Sequence, residues 1–170
     1  PLSSLQKRMC YSYFNAKNGY THNLYSVATL NDHIDIERLR ICFKRLVDDH
    51  EILRTSYHES HNSYYQSIWP AKKINLDFVV SVMSEEVLQK WVLEHAHTKL
   101  NLELAEVIKV RIAKLINSNT HVLLVIVHHI ACDFDSLQLL FGFLENYYCS
   151  DNLQINMAEG QFKQVVLAEC

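Results

Sequence analysis

Glycine and proline are scarce in this chain of 170 residues, which has three of one and two of the other. Long flexible linkers draw on both, so their scarcity excludes them. Basic runs are missing too. No stretch of Lys and Arg exceeds two residues, as at Lys72-Lys73, and the formal net charge is −3. Nothing there suits nucleic acid or an acidic lipid surface. The longest uninterrupted aliphatic run, Val122 to Val127, is far too short to span a bilayer, so no membrane role is expected. No charged-then-apolar leader opens the chain, which starts at Pro1. The expectation is of a piece processed or excised from something longer. The five cysteines (Cys10, Cys42, Cys132, Cys149, Cys170) form no Cys-x-x-Cys pair, which argues against a zinc or redox site. Their odd number fits reduced thiols and a cytoplasmic location.

What is present is an ordinary globular composition, 49% hydrophobic and 21% charged, enough for one domain with a sizeable core. Apolar spacing predicts helices over Leu5 to Phe14, from an N-cap at Asp35 to near His50, and from Ser84 along a stripe of Val87, Leu88, Trp91 and Val92. Strands are expected over Leu24–Leu30, Leu53–Tyr57, Tyr64–Trp69, Ile74–Val80, Glu106–Leu115 and His121–His128, the last two joined by a turn at Asn117-Ser118-Asn119. A further helix should be capped by Asp135 or Ser136, and a last helical segment begins near Gln161. The fold class is α+β, with a largely antiparallel sheet flanked by helices. The aromatic group Tyr11, Tyr13 and Phe14 reads as core.

The stretch VHHIACDFDS, residues 127–136, stands apart. A strand that is apolar at every position from Val122 to Val127 is buried on both faces and central in its sheet. Side chains alternate along a strand, so His128 and His129 should diverge, one into the packed layer and one toward an opening. Divergent imidazoles do not readily share a metal ion, and no metal site is expected. Asp133 follows just before a helix start and can turn back toward the strand end. Cys132 reads as a small apolar filler rather than a nucleophile.

His128-His129-Ile130-Ala131-Cys132-Asp133 resembles the HHxxxD motif of condensation domains from nonribosomal peptide synthetases and hybrid polyketide–peptide synthases. Three other segments agree, in the same order as in the family. Ser4 to Met9 resembles the opening SxxQxRM motif, Asp49 to Thr55 resembles RHExLRT, and Leu100 to Leu104 ahead of Val110-Arg111-Ile112 resembles FDLxxxPLxRxxL. The resemblance implies a chloramphenicol-acetyltransferase-like lobe, with residues 1–170 as the N-terminal lobe of a two-lobed domain. The implied partners are the C-terminal lobe and the donor and acceptor carrier proteins. No cofactor is expected on the chain itself, since the substrates ride on carrier phosphopantetheine.

By the same resemblance His129 is the catalytic histidine, His128 is structural, and Asp133 pairs with Arg54 to hold the histidine loop. Phe134 and Ser136 then border the substrate channel. The implied reaction is amide or ester formation, by attack of an amine or hydroxyl on an acyl thioester. Three positions depart from the pattern: Phe134 replaces the glycine after the motif aspartate, Asp49 replaces an arginine, and the third segment has Asn101 for aspartate and lacks its proline. Two other readings stay open. Phe134 favours a non-catalytic domain that binds carrier proteins. The RHExLRT-like segment argues against the other, a coenzyme-A-dependent HxxxD acyltransferase.

Overall fold

The computed structural model describes residues 2–16, 20–30, 33–61, 63–73, 76–116, 118, 120–150 and 165–166. The helices are α1 (Ser4–Asn15), α2 (Ile36–Asp49), α3 (Glu85–Ala96) and α4 (Phe134–Ser150). The strands are β1 (Asn23–Leu30), β2 (Thr55–Ser60), β3 (Ser63–Ile68), β4 (Asp77–Met83), β5 (Ile108–Leu115), β6 (His121–His128) and β7 (Val165–Val166). Five strands form one sheet in the order β4-β5-β6-β1-β7, and β2 and β3 form a separate hairpin. The α+β expectation is met, and β6 is central.

The sheet is antiparallel except between β4 and β5, which run parallel in the register Asp77↔Lys109 to Met83↔Leu115. The exception has a cause in the connection. Strands β4 and β5 are joined through α3, a crossover that returns the chain in the same direction.

The period of two along β6 divides the core. Leu123, Val125 and Val127 meet α1, α2 and α4 through Cys10, Tyr13, Phe43, Leu46 and Leu137. Leu124 and Ile126 join Tyr25, Ala96 and Leu100, with Trp91 and Val92 of α3 packed against them. Every residue from Val122 to His128 is buried. The uninterrupted apolar run is thus explained by helices on both faces, although most of the sheet is antiparallel.

Helix α2 starts as predicted, with the Asp35 carboxylate accepting from the Arg38 N–H at 3.0 Å. At α1 the cap is Ser3, which forms a reciprocal capping box with Gln6. Four local expectations are corrected. Leu53 and Arg54 lie in a 3-10 turn, Glu51–Arg54, and β2 begins only at Thr55. Strand β4 runs to Met83 rather than Val80; Ile74 lies outside the described residues, as do Asn117 and Asn119 of the expected turn. Ser84 precedes α3 but makes no side-chain capping bond, so Glu85 and Glu86 alone complement that terminus. Near the C-terminus, where a helix was expected from Gln161, the described pair Val165–Val166 is extended and pairs with Ser26 and Val27. In the aromatic group, Tyr13 is buried and Phe14 half-buried, but Tyr11 is exposed.

Candidate functional site

The C-terminal end of the central strand β6 carries the histidine pair, His128 as its last residue and His129 just past it. The His128 N–H is bonded to the Val107 carbonyl at 2.9 Å, and the side chain is 1% exposed. Its Nδ1 accepts from the Ile130 N–H at 3.1 Å, which sets the tight turn after the strand. The ring lies edge-on to Tyr13 at 5.8 Å and to His22 at 6.0 Å. Burial pushes the His128 imidazole down to about pKa 3, with His22 and His129 adding to the shift, so the ring is neutral at physiological pH. Its Nε2 has no hydrogen-bond partner among the described residues.

His129 differs. It lies beyond the strand, is only half-buried, and its N–H donates to the His22 carbonyl at 2.8 Å. Its Nδ1 is buried and unpaired among the described residues. The two rings are unequally buried, and because β6 ends at His128 the strand alternation does not extend to His129. A half-open imidazole on a backbone tied at both sides suits hydrogen bonding to, or proton exchange with, a bound molecule.

Asp133 is exposed and caps α4. Its Oδ1 accepts from the Ser136 N–H at 2.8 Å, and its carbonyl accepts from the Leu137 N–H at 2.9 Å. The Ser136 side chain and backbone, with a smaller contribution from His129, hold its carboxyl below the usual range. The cap therefore sits two or three residues earlier than the expected Asp135 or Ser136.

The expected pairing of Asp133 with Arg54 is not present. Arg54 donates through Nη1 to the Trp69 carbonyl at 2.6 Å and reaches Glu51 at 3.4 Å, which leaves Nε buried and unpaired among the described residues. Each partner is committed locally, the carboxylate to a helix terminus and the guanidinium to the open end of the β2–β3 hairpin. Arg54 thus ties the hairpin to the 3-10 turn and does not hold the histidine loop.

Phe134 occupies the first turn of α4 and is 48% exposed. It is not among the residues with positive φ, so the backbone here does not require glycine. Cys132 is buried, and burial drives its thiol up to about pKa 12, which fits a filler. The other two departures are accommodated. Asn101 caps the short turn Leu102–Leu104 by accepting from the Glu103 N–H, the same service an aspartate gives. Asp49 accepts from the Tyr147 hydroxyl at 2.8 Å and so joins α2 to α4.

His22 and Tyr13 flank the pair and Ser12 bonds the His22 ring; of the three the sequence singled out only Tyr13, as core. His22 meets His129 only because β1 runs antiparallel to β6, with Asn23 opposite His128. No local pattern carries that register.

A family model described as Condensation domain matches residues 1–168. The chain belongs to this family. It is similar to tyrocidine synthase 2 of Brevibacillus parabrevis, at 31% identity over 149 residues covering 87% of this chain and 4% of that protein. It is also similar to gramicidin S synthase 2 of Brevibacillus brevis, at 29% identity over 148 residues covering 87% of this chain and 3% of that protein. Among solved structures, the starter condensation domain of the rhizomide synthetase RzmA superposes with a TM-score of 0.73 at 15% identity, over 87% of this chain and 36% of that one. The X-domain in complex with OxyB from teicoplanin biosynthesis gives a TM-score of 0.75 at 26% identity, over 87% and 32%. The fold is that of condensation domains, the chloramphenicol-acetyltransferase-like class. The chain spans a few per cent of the curated relatives and about a third of the solved chains. No helix among the described residues is long and apolar enough to cross a membrane.

Proposed function

We propose that this chain is the N-terminal lobe of a condensation domain that joins a carrier-bound acyl thioester to a carrier-bound amine or hydroxyl, with His129 at the reacting atoms. The observation that carries this reading is the contrast at the end of β6: a buried neutral His128 beside a half-open His129 whose amide is fixed by the His22 carbonyl. In amide formation the acceptor nitrogen attacks the thioester carbonyl carbon. A C–N bond forms, the C–S bond breaks, and one proton leaves the nitrogen and ends on the departing thiolate. The thioester is already activated, so the lobe's task is to place the two tethered ends and handle that proton. An imidazole does so by accepting the proton or by holding the attacking nitrogen and the oxyanion through hydrogen bonds.

Substrates arrive on the phosphopantetheine arms of donor and acceptor carrier proteins, and a C-terminal lobe closes the channel from the other side. The share of the solved chains that the match covers supports the one-lobe reading. The likeness to peptide synthases supports work in a cytoplasmic assembly line. Phe134 and Ser136 border the channel mouth and select the acyl group.

A second reading keeps the docking and drops the chemistry. It is favoured by the half-exposed phenyl group of Phe134 beside the motif and by the likeness to an X-domain found in complex with another protein. A condensation assay on the two-lobed domain, with loaded carriers and product read by intact mass, separates the two. Product from wild type and little from His129→Ala is the expected result. Equal product from both variants would remove His129 from the reaction, and carrier binding without any product would favour the docking module.

A further inference from the structure

We propose that Ser12 and His22 are positioning residues for His129, so that the end of helix α1 sets the geometry of the reacting imidazole; this rests on the reading of His129 given above. His22 lies one residue ahead of β1, inside a turn closed by the Asn23 N–H bonding to the Tyr20 carbonyl. Its carbonyl accepts the His129 N–H at 2.8 Å, one pair beyond the last partners of the β1–β6 ladder, Asn23 and His128. At that frayed end a second hold comes from the side chain, whose Nε2 meets Ser12 Oγ at 2.7 Å in a part-buried contact.

The anchoring helix is itself immobilised at this end. The Ser12 carbonyl accepts from the Ala16 N–H, and the neighbouring Tyr13 hydroxyl donates to the Leu100 carbonyl while accepting from the Leu102 N–H. A chain of bonds therefore runs from α1 through the His22 ring and backbone to the amide of His129. Positions of reacting groups matter on a scale of about 0.5 Å, finer than a free turn maintains.

The fold does not depend on the Ser12 bond to place β1. Asn23 already ties the start of that strand to the end of α3, through its amide donating to the Ala96 and Thr98 carbonyls at 2.9 and 2.8 Å. Loss of the Ser12–His22 bond is thus expected at His129 rather than in the stability of the whole domain.

The test compares Ser12→Ala, Ser12→Thr, His22→Phe and His22→Gln in the two-lobed domain, with His129→Ala beside them. The readouts are condensation kinetics and amide hydrogen exchange. Ser12→Ala and His22→Phe should lower kcat by about tenfold to a hundredfold with KM little changed. They should also speed exchange of the His129 amide by about tenfold, while the β5–β6 amides keep their protection. Ser12→Thr restores the hydroxyl and His22→Gln restores a polar group at the Nε2 position, and both should recover most of the loss. Wild-type kcat and His129 exchange in Ser12→Ala and His22→Phe would overturn the proposal. So would faster exchange throughout the sheet, since the bond would then serve the fold alone. Full turnover in His129→Ala would instead strike the catalytic reading, and exchange at the His129 amide would decide the positioning claim by itself.

Discussion

Two polar clusters are buried along this sheet, and they are built in opposite ways. At the β4–β5 pair, Arg111 meets Asp77 through two bonds, 2.9 and 2.7 Å, and also donates to the Asp77 and Val110 carbonyls. Lys109 sits between Asp77 and Glu106 at 3.7 Å from each. Arg111 is further fixed by backbone acceptors, so both cations are met by opposite charge. At the end of β6, by contrast, His128 Nε2 and His129 Nδ1 are buried without partners among the described residues. A buried polar group without a partner destabilises the fold, so its retention asks for another reason. The first cluster stabilises; under the proposed function the second leaves the His129 ring available to a bound molecule.

The sharpest way to break that comparison is His129→Ala. Condensation should fall by about 10²–10⁴-fold, the range for a group that moves a proton in the transition state, while the denaturation midpoint stays near wild type. A large loss of stability would place His129 with the structural cluster.

Asp77→Ala comes next and should do the reverse. Burial opposes the Asp77 charge, but the Arg111 bonds and Lys109 outweigh it and hold the carboxyl below its usual range. Removing it leaves Arg111 without a carboxylate while Lys109 keeps Glu106, at a cost of about 3 kcal/mol, the low end for a broken buried pair because the Asp77 side chain is 35% exposed. Urea denaturation measures this. Its folded pKa is depressed, so its contribution is present above the unfolded value of 3.8 and fades as pH falls through the folded one.

His128 should titrate in a different window. His128 binds its proton near pKa 6.5 when unfolded and near 3 when folded. Between those values the unfolded chain holds more protons, so stability falls with acidification by about 1.4 kcal/mol per pH unit. Above pH 6.5 the contribution is flat. Replacing His128 with Asn should remove that slope between pH 6 and 4 and leave the Asp77 loss at lower pH. An unchanged slope would mean that His128 is not buried neutral.

The smallest effect expected is at Asp133. As a helix cap it is worth about 1 kcal/mol, so Asp133→Ala should destabilise by that much and Asp133→Asn or Asp133→Ser by little. Arg54→Ala should not add to the turnover loss of Asp133→Ala beyond the sum of the two. A strong coupling in that double-mutant cycle would restore the ion pair the resemblance implied.

Much of this was legible in residue order. The run Val122–Val127 announced a central strand, because only a strand covered on both faces is apolar at each position. Asp35 and the spacing from Ile36 to Val47 announced α2, because a carboxylate cap and a 3.6-residue stripe are local properties. The His128-His129 pair was visible as a motif, but β6 ends between the two, so their unequal burial comes from the turn rather than from alternation. The parallel step between β4 and β5, the extended pair at Val165–Val166, and the fate of Arg54 were not legible. Each depends on which distant segment arrives first at a bond.

The sequence by itself determined most of the elements, the family and the position of the paired histidines, since hydrophobic period, caps and motif residues act over a few positions. Tertiary structure alone decided which partners those residues took. It gave Arg54 to the Trp69 carbonyl and set His22 against His129. The physical reason is that hydrogen bonds saturate over about 3 Å, and only the packed sheet brings residues a hundred positions apart within that distance.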